Sequence, residues 1–308
     1  MSEVASRTAR EGALRALIAE RPGAALATLL FGLIAIAALF APLIAPTNPF
    51  DLASLDVLDA ELPPRWVQGS DPRFLLGTDA QGRNLLSAIL YGTRISLIVG
   101  VLAVAIQAAI GVSLGLLAGY VGSRLDSVVS RAADIQLSLS TLMMAIIALA
   151  LFRAGLGGES LSRYAVPLLV VVIGFAEWPY FARTARAATQ VEAAKDYVRA
   201  ARALGASDAG IVGRHILPNI LSPLIVVATT QIAGAIMAEA ALSFLGLGVQ
   251  PPTPSWGAML TSGRRYLGLA NHLAIFPGAA IMLAVMGLNF LGDGLIDALD
   301  PKYRKGMR

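Results

Sequence analysis

Apolar residues along this chain gather into six long runs, at residues 24–45, 95–120, 137–152, 164–181, 220–247 and 272–295, with charge, glycine and proline concentrated between them. A helix needs about 20 predominantly apolar residues to cross a bilayer, so each run reads as a span or nearly one. The third and fourth runs have the least distinct ends. Residues 196–218, between the fourth and fifth runs, follow another pattern. Tyr197, Ala201 and Leu204 recur at helical spacing on one face, and Lys195, Arg199 and Arg202 repeat it on another. Gly205 permits a turn that a side chain resists, Ser207 and Asp208 read as an N-cap and first turn, and Pro218 marks the next break. The pattern predicts two short helices joined at a glycine, a surface hairpin with one face for a partner. Ala200, Ala201 and Ala203 suit close approach to another backbone, whereas insertion into a lipid surface calls for bulkier anchors.

Composition fits this reading. With 308 residues, 56% of them hydrophobic and only 14% charged, and a mean hydropathy of +0.69, the chain is a polytopic membrane protein, all-α with six transmembrane helices. Of its 24 lysines and arginines, 16 fall in segments on the side of the N-terminus and 8 on the other. That bias places both termini, and the 196–218 hairpin with them, in the cytoplasm. Sidedness also explains the pI near 9.6 without nucleic acid. Arg7, Arg10, Arg15 and Arg21 precede the first run as in a signal peptide, but the run is too long for one, so an uncleaved first span is expected. The organisation is then a cytoplasmic tail, residues 1–22, and a transmembrane domain, residues 23–308.

Catalytic chemistry finds no footing. Having no cysteine excludes disulfides, iron–sulfur clusters and thiolate nucleophiles. Lys195, Lys302 and Lys305 are the only lysines, and none stands in a P-loop, so the chain does not hydrolyse ATP. No nucleophile–base pair or metal-ligand motif stands out, and His215 and His272, the only imidazoles, both lie near span ends. Glu239, deep in an apolar run, is expected to hydrogen-bond within the protein and stabilise the end of the fifth span, with ion coupling in a self-contained secondary transporter as the alternative. Glu177, beside Trp178 and Pro179, is expected to reach water or Arg183. Gly246 and Gly248 loosen the end of that fifth run, and the prolines before Trp256 predict a rigid, non-helical outer cap.

Counting back from Gly205 puts two alanines at Ala200 and Ala201; counting forward puts a Leu-Pro pair at Leu217 and Pro218. That spacing resembles the signature of permease subunits of bacterial binding-protein-dependent ABC importers, with Arg199 where a glutamate and His215 where an isoleucine is usual. Both departures resemble the C-type subunit of the dipeptide, oligopeptide and nickel branch. The literal triplet Glu192-Ala193-Ala194 lies too far from Gly205 to be the signature. Leu76-Gly77-Thr78-Asp79 through Ser87 resembles that branch outside the first span, with Asn84 for the usual aspartate and Ala88 for the usual arginine. So do Glu239 to Gly248 followed by Gln250 to Gly257, and Leu291 to Pro301 at the last exit. The resemblance implies a type I importer permease fold in the bacterial inner membrane. It implies a second, different permease subunit, two ATP-binding subunits carrying ATP and magnesium, and a periplasmic or lipid-anchored binding protein. No cofactor is bound by this chain. Residues Tyr197, Ala200, Ala201, Arg202, Leu204, Gly205, Ala206 and Ser207, with Leu217 and Pro218, would then couple to an ATPase. Glu239, Gly246, Gly248 and Trp256 would form a gate or a structural element. Peptides are the expected substrates, with nickel or another small solute as the alternative.

Overall fold

The computed structural model describes residues 22–51, 56–156, 158–250 and 253–299; the tail proposed for residues 1–22 lies almost wholly outside them. Among the described residues there is no strand ladder, only one isolated bridge between Thr78 and Asn84. The main helices are α1 Pro22–Leu39, α2 Leu85–Val121, α3 Ser123–Ser138, α4 Thr141–Leu156, α5 Gly158–Ala176, α6 Trp178–Ala193, α7 Asp196–Ala203, α8 Leu217–Phe244, α9 Trp256–Arg264 and α10 His272–Leu299.

Three helical stretches are long and apolar enough to span a membrane unaided, Leu85–Val121, Asp208–Phe244 and His272–Ile296, and α1 contributes a shorter apolar helix at Thr28–Leu39. The remaining two predicted spans are bent. The α3–α4 pair turns by 84° and the α5–α6 pair by 41°. The helix α3, not foreseen in the sequence, lies along α6 and is fastened to it by ion pairs. Arg186 clasps Asp126, with Nη2 2.7 Å from Oδ2, and Arg183 meets Asp134 at 2.5 Å. Arg183 is therefore engaged elsewhere, and Glu177 instead accepts from Gln231 at 2.9 Å.

The central crossing is α2 against α6, and small residues make it possible. Gly111, Gly115 and Gly119 recur every fourth position on α2. A Cβ on Gly115 would stand 2.5 Å from the Ala182 carbonyl oxygen, and one on Gly119 would stand 2.7 Å from that of Arg186. Close approach of two backbones in this way supplies packing that lipid cannot. Around it α8 and α5 lie against α2, α10 packs on α8, and α1 covers α10. The largest apolar cluster joins Val99 and Leu116 of α2, Leu169 and Ile173 of α5, Phe181 of α6, and Ile220 and Leu242 of α8.

At the end of the bundle remote from the 196–218 hairpin, Asn84 caps α2 by accepting from Leu86 N at 3.0 Å, which starts that helix ten residues before its apolar run. Asp79 binds Arg83 at 2.7 Å within the segment resembling the peptide branch, and the segment lies against α10, where a Cβ on Gly77 would stand 3.2 Å from His272 Nε2. The outer cap after α8 is only partly non-helical, because α9 occupies it; Ser255 caps α9 by accepting from Ala258 N at 3.2 Å. Leu291 to Leu299 belong to α10, with Asp293 exposed; Asp300 and Pro301 lie outside the described residues.

Candidate functional site

The hairpin at residues 196–218 takes its shape from two local devices. Gly205 adopts φ +85, and Ala206 N donates to Ala201 O at 3.1 Å while Gly205 N donates to Arg202 O at 3.0 Å, a glycine-closed helix end. Two residues on, Ser207 caps a new helix by accepting from Gly210 N at 3.2 Å. That new helix is not short. It runs through a π-turn, Ile211–Ile216, into α8, giving 37 continuous residues from Asp208 to Phe244, about 55 Å at 1.5 Å per residue. Pro218 therefore ends no helix: it sits in the first turn of α8, directly after the wider π-turn, where its missing N–H is tolerated. Leu217 packs on the core, and Pro218 is exposed.

The pattern of residues gave α7 a face for a partner; the structure adds a face turned into the bundle. Val198 is buried and Ala201 packs beside the core, whereas Leu204 at the tip is 88% exposed. Ala200, Arg202, Gly205, Ala206 and Ser207 are exposed as well. A Cβ at Gly205 would meet nothing within 4 Å. The helix is thus attached by one face and offers small residues and one leucine on the other.

Attachment is polar at both ends. Tyr197 donates its hydroxyl to Glu192 at 2.6 Å and receives Asn219 Nδ2 at 3.3 Å; its ring lies 6.3 Å from that of His215. Burial first, and Glu192 next, push the Tyr197 phenol up, so it remains a donor at neutral pH. Glu192, in the triplet set aside by motif counting, is only 9% exposed and is also held by Lys195 at 2.5 Å. Arg202 donates to the Tyr120 hydroxyl at 2.9 Å, and that hydroxyl donates to Asp208 at 2.5 Å. Tyr120 and Glu192 were not legible as parts of the hairpin; the signal for Tyr120 is an aromatic residue at the water-facing end of a span.

The same 37-residue helix ends at the second group of candidates. Glu239 is fully buried and accepts from Ser243 at 2.7 Å and Ser96 at 2.9 Å. Gly246 takes φ +77 and Leu247 N donates to Leu242 O at 2.9 Å, repeating the glycine closure of α7. A Cβ on Gly248 would collide with Ser243, whose hydroxyl accepts from Val249 N at 3.1 Å. Trp256, 1% exposed, donates Nε1 to Ile89 O at 3.3 Å and covers Gly92 of α2. Glu239, Gly248 and Trp256 form one packed joint between α2, α8 and α9, while a Cβ at Gly246 would meet nothing within 4 Å. Among the described residues no group of His, Asp and Glu is arranged to hold a metal.

Residues 111–305 match the family model described as binding-protein-dependent transport system inner membrane component. The chain belongs to this family. As a permease of that kind it is similar to the di/tripeptide transport system permease protein DppC of Pseudomonas aeruginosa, 43% identical over 91% of this chain and 88% of that protein. It is 41% identical to the dipeptide transport system permease protein DppC of Escherichia coli, over 87% of this chain and 85% of that one. The glutathione transport system permease protein GsiD of Pectobacterium atrosepticum is 41% identical over 78% and 76%. Inward-facing structures of the MetNI methionine ABC transporter share the fold, with a TM-score of 0.56 at 20% identity over 70% of this permease and 98% of that chain.

Proposed function

We propose that this permease is one of two different membrane subunits of an importer of short peptides, driven by two separate ATP-binding subunits and fed by a binding protein outside the membrane. Peptides follow from the relatives named for di/tripeptide, dipeptide and glutathione transport. Orientation with both termini in the cytoplasm follows from the basic-residue bias and puts α7 beneath the membrane.

One observation carries the reading: the exposed tip Leu204 to Ser207 turns directly into a helix that runs unbroken to Phe244. Small side chains at Ala200, Gly205 and Ala206 let a groove of an ATPase close over the tip, with Leu204 as its apolar anchor. ATP and magnesium are held by that partner. When the two ATPases close, the tip moves, and the ties of Tyr197 to Glu192 and of Arg202 to Tyr120 carry the movement into α6 and α2. Through α8 it reaches the joint of Glu239, Ser96 and Ser243, and the pathway between the two permeases changes its open side. An ion-coupling role for Glu239 is disfavoured by its two serine donors, Ser96 and Ser243, which leave the carboxylate a structural acceptor.

Uptake of a labelled dipeptide into proteoliposomes containing this chain, its permease partner, both ATPases and the binding protein tests the assignment. Uptake is expected with ATP inside and to cease without it. Uptake by this chain alone, driven by a proton gradient and indifferent to ATP, would establish the secondary-transporter alternative.

A further inference from the structure

The bend between α5 and α6 interrupts a helix inside the bundle, and three glutamines answer it. Gln107 of α2 donates to Ile173 O at 3.3 Å, Gln136 of α3 donates to Ala176 O at 3.0 Å, and Gln231 of α8 donates to Glu177 Oε2 at 2.9 Å and to Gln107 Oε1 at 3.2 Å. Backbone that leaves regular pairing within a membrane must find partners nearby, which accounts for the glutamines. It does not account for Glu177. A carboxylate at this depth is costly and faces a partner or a water-filled path. Arg183 is paired with Asp134, and among the described residues no Lys, Arg or His side chain pairs with Glu177. Its Oε1 accepts no hydrogen bond from them, and the residue is only half-buried.

An open groove of about 700 Å³ runs between α6 and α8, lined by Arg183, Thr184, Ala188 and Glu192 on one side and Asn219 and Pro223 on the other, its one arginine paired with Asp134 and its glutamate with Lys195. Neither Glu177 nor Gln231 lines the groove itself; Glu177 stands just before the first residue of α6, and its bond to Gln231 joins that end of α6 to α8 on the side of the groove away from Asn219. Asn219, bonded to Tyr197 of α7, stands at its foot.

We propose that this groove is the cytoplasmic half of the translocation path and that Glu177 receives the ammonium group of a passing peptide. The assignment rests on the peptide-import reading above. Gln231 holds one carboxylate oxygen, leaving the other directed to an incoming donor, and an N–H of an ammonium supplies both the hydrogen bond and the countercharge that the site lacks. The ammonium is the group that short peptides share whatever their side chains, so one carboxylate serves many substrates.

Dipeptide uptake by the complete transporter in proteoliposomes tests this. Glu177→Gln keeps an acceptor for Gln231 and removes the charge; uptake should fall at least about tenfold, and Glu177→Asp should recover at least about a third of the native rate. Native uptake with Glu177→Gln within about twofold of it overturns the assignment, as does Glu177→Asp transporting no better than Glu177→Gln. Absence of uptake by the native complex overturns the peptide-import reading instead. A second measurement does not depend on transport. The chain contains no cysteine, so Thr184→Cys in the assembled complex reports the groove. A cationic methanethiosulfonate should modify it at least about tenfold faster than an anionic one of similar size. Equal rates, or a thiol shielded by the second permease, contradict the proposal.

Discussion

The Ser96 hydroxyl donates to Glu239 Oε2 at 2.9 Å, tying α2 to the end of α8 remote from the hairpin across 143 positions of sequence. Both residues are fully buried. Hydrogen bonds between helices in a membrane contribute about 0.6 kcal/mol on average and up to about 1.7. Glu239→Ala removes the shared acceptor of Ser96 and Ser243 and should cost about 2–4 kcal/mol, while Glu239→Gln, which keeps an acceptor oxygen, should cost less than half of that. Thermal unfolding of the detergent-solubilised complex measures both. Equal losses for the two variants would show that the charge, and not the acceptor, holds the joint.

At the α2–α6 crossing, Gly115→Leu should be severely destabilising, because even its Cβ meets the Ala182 carbonyl oxygen at 2.5 Å and backbone cannot yield cheaply. Gly32→Ala in α1, where a Cβ meets nothing within 4 Å in this subunit, should leave stability unchanged or raise it by up to about 1 kcal/mol through helix propensity. Yield of folded protein after membrane extraction separates the two.

Leu204 is exposed at the hairpin tip and belongs to no core cluster of this chain. Leu204→Asp should leave the permease pair intact and lower co-purification of the ATPases at least about tenfold, since a desolvated charge would replace an apolar anchor. Unchanged co-purification would place the ATPase contact elsewhere.

Tyr120→Phe keeps the ring over which Arg202 lies at 5.6 Å and deletes the hydroxyl shared by Arg202 and Asp208. Peptide transported per ATP hydrolysed should fall severalfold while the complex stays assembled. A ratio equal to the native one would remove Tyr120 from the transmission path.

How far the sequence revealed this arrangement depended on whether each feature had a local cause. The hairpin was legible because Gly205 and Ser207 act within a few residues of themselves, one through a positive φ and the other through a cap. The inward face of α7 was not, since spacing alone did not separate Val198, which is buried, from Leu204, which is exposed. The start of α2 moved from the apolar run to Leu85 because Asn84 caps the helix among polar residues. Continuity of the helix through Pro218 depended on a π-turn that has no simple sequence mark. The bend at Glu177 and the role of Glu192 depended on Gln231 and Tyr197, whose bonds to them are fixed by the fold.

The central claim is that movement of the hairpin tip links ATP hydrolysis to transport, and Gly205 tests it most directly. Its backbone conformation is unfavourable for side chains by about 1–2 kcal/mol, yet the space around it is open, so Gly205→Trp should insert and fold while obstructing the partner's groove. Peptide uptake and ATP hydrolysis should be measured together in proteoliposomes carrying native or Gly205→Trp complex. The account predicts that uptake per ATP falls at least about tenfold in the variant, with insertion of the chain unchanged. A Gly205→Trp complex that takes up peptide at the native ratio would contradict it.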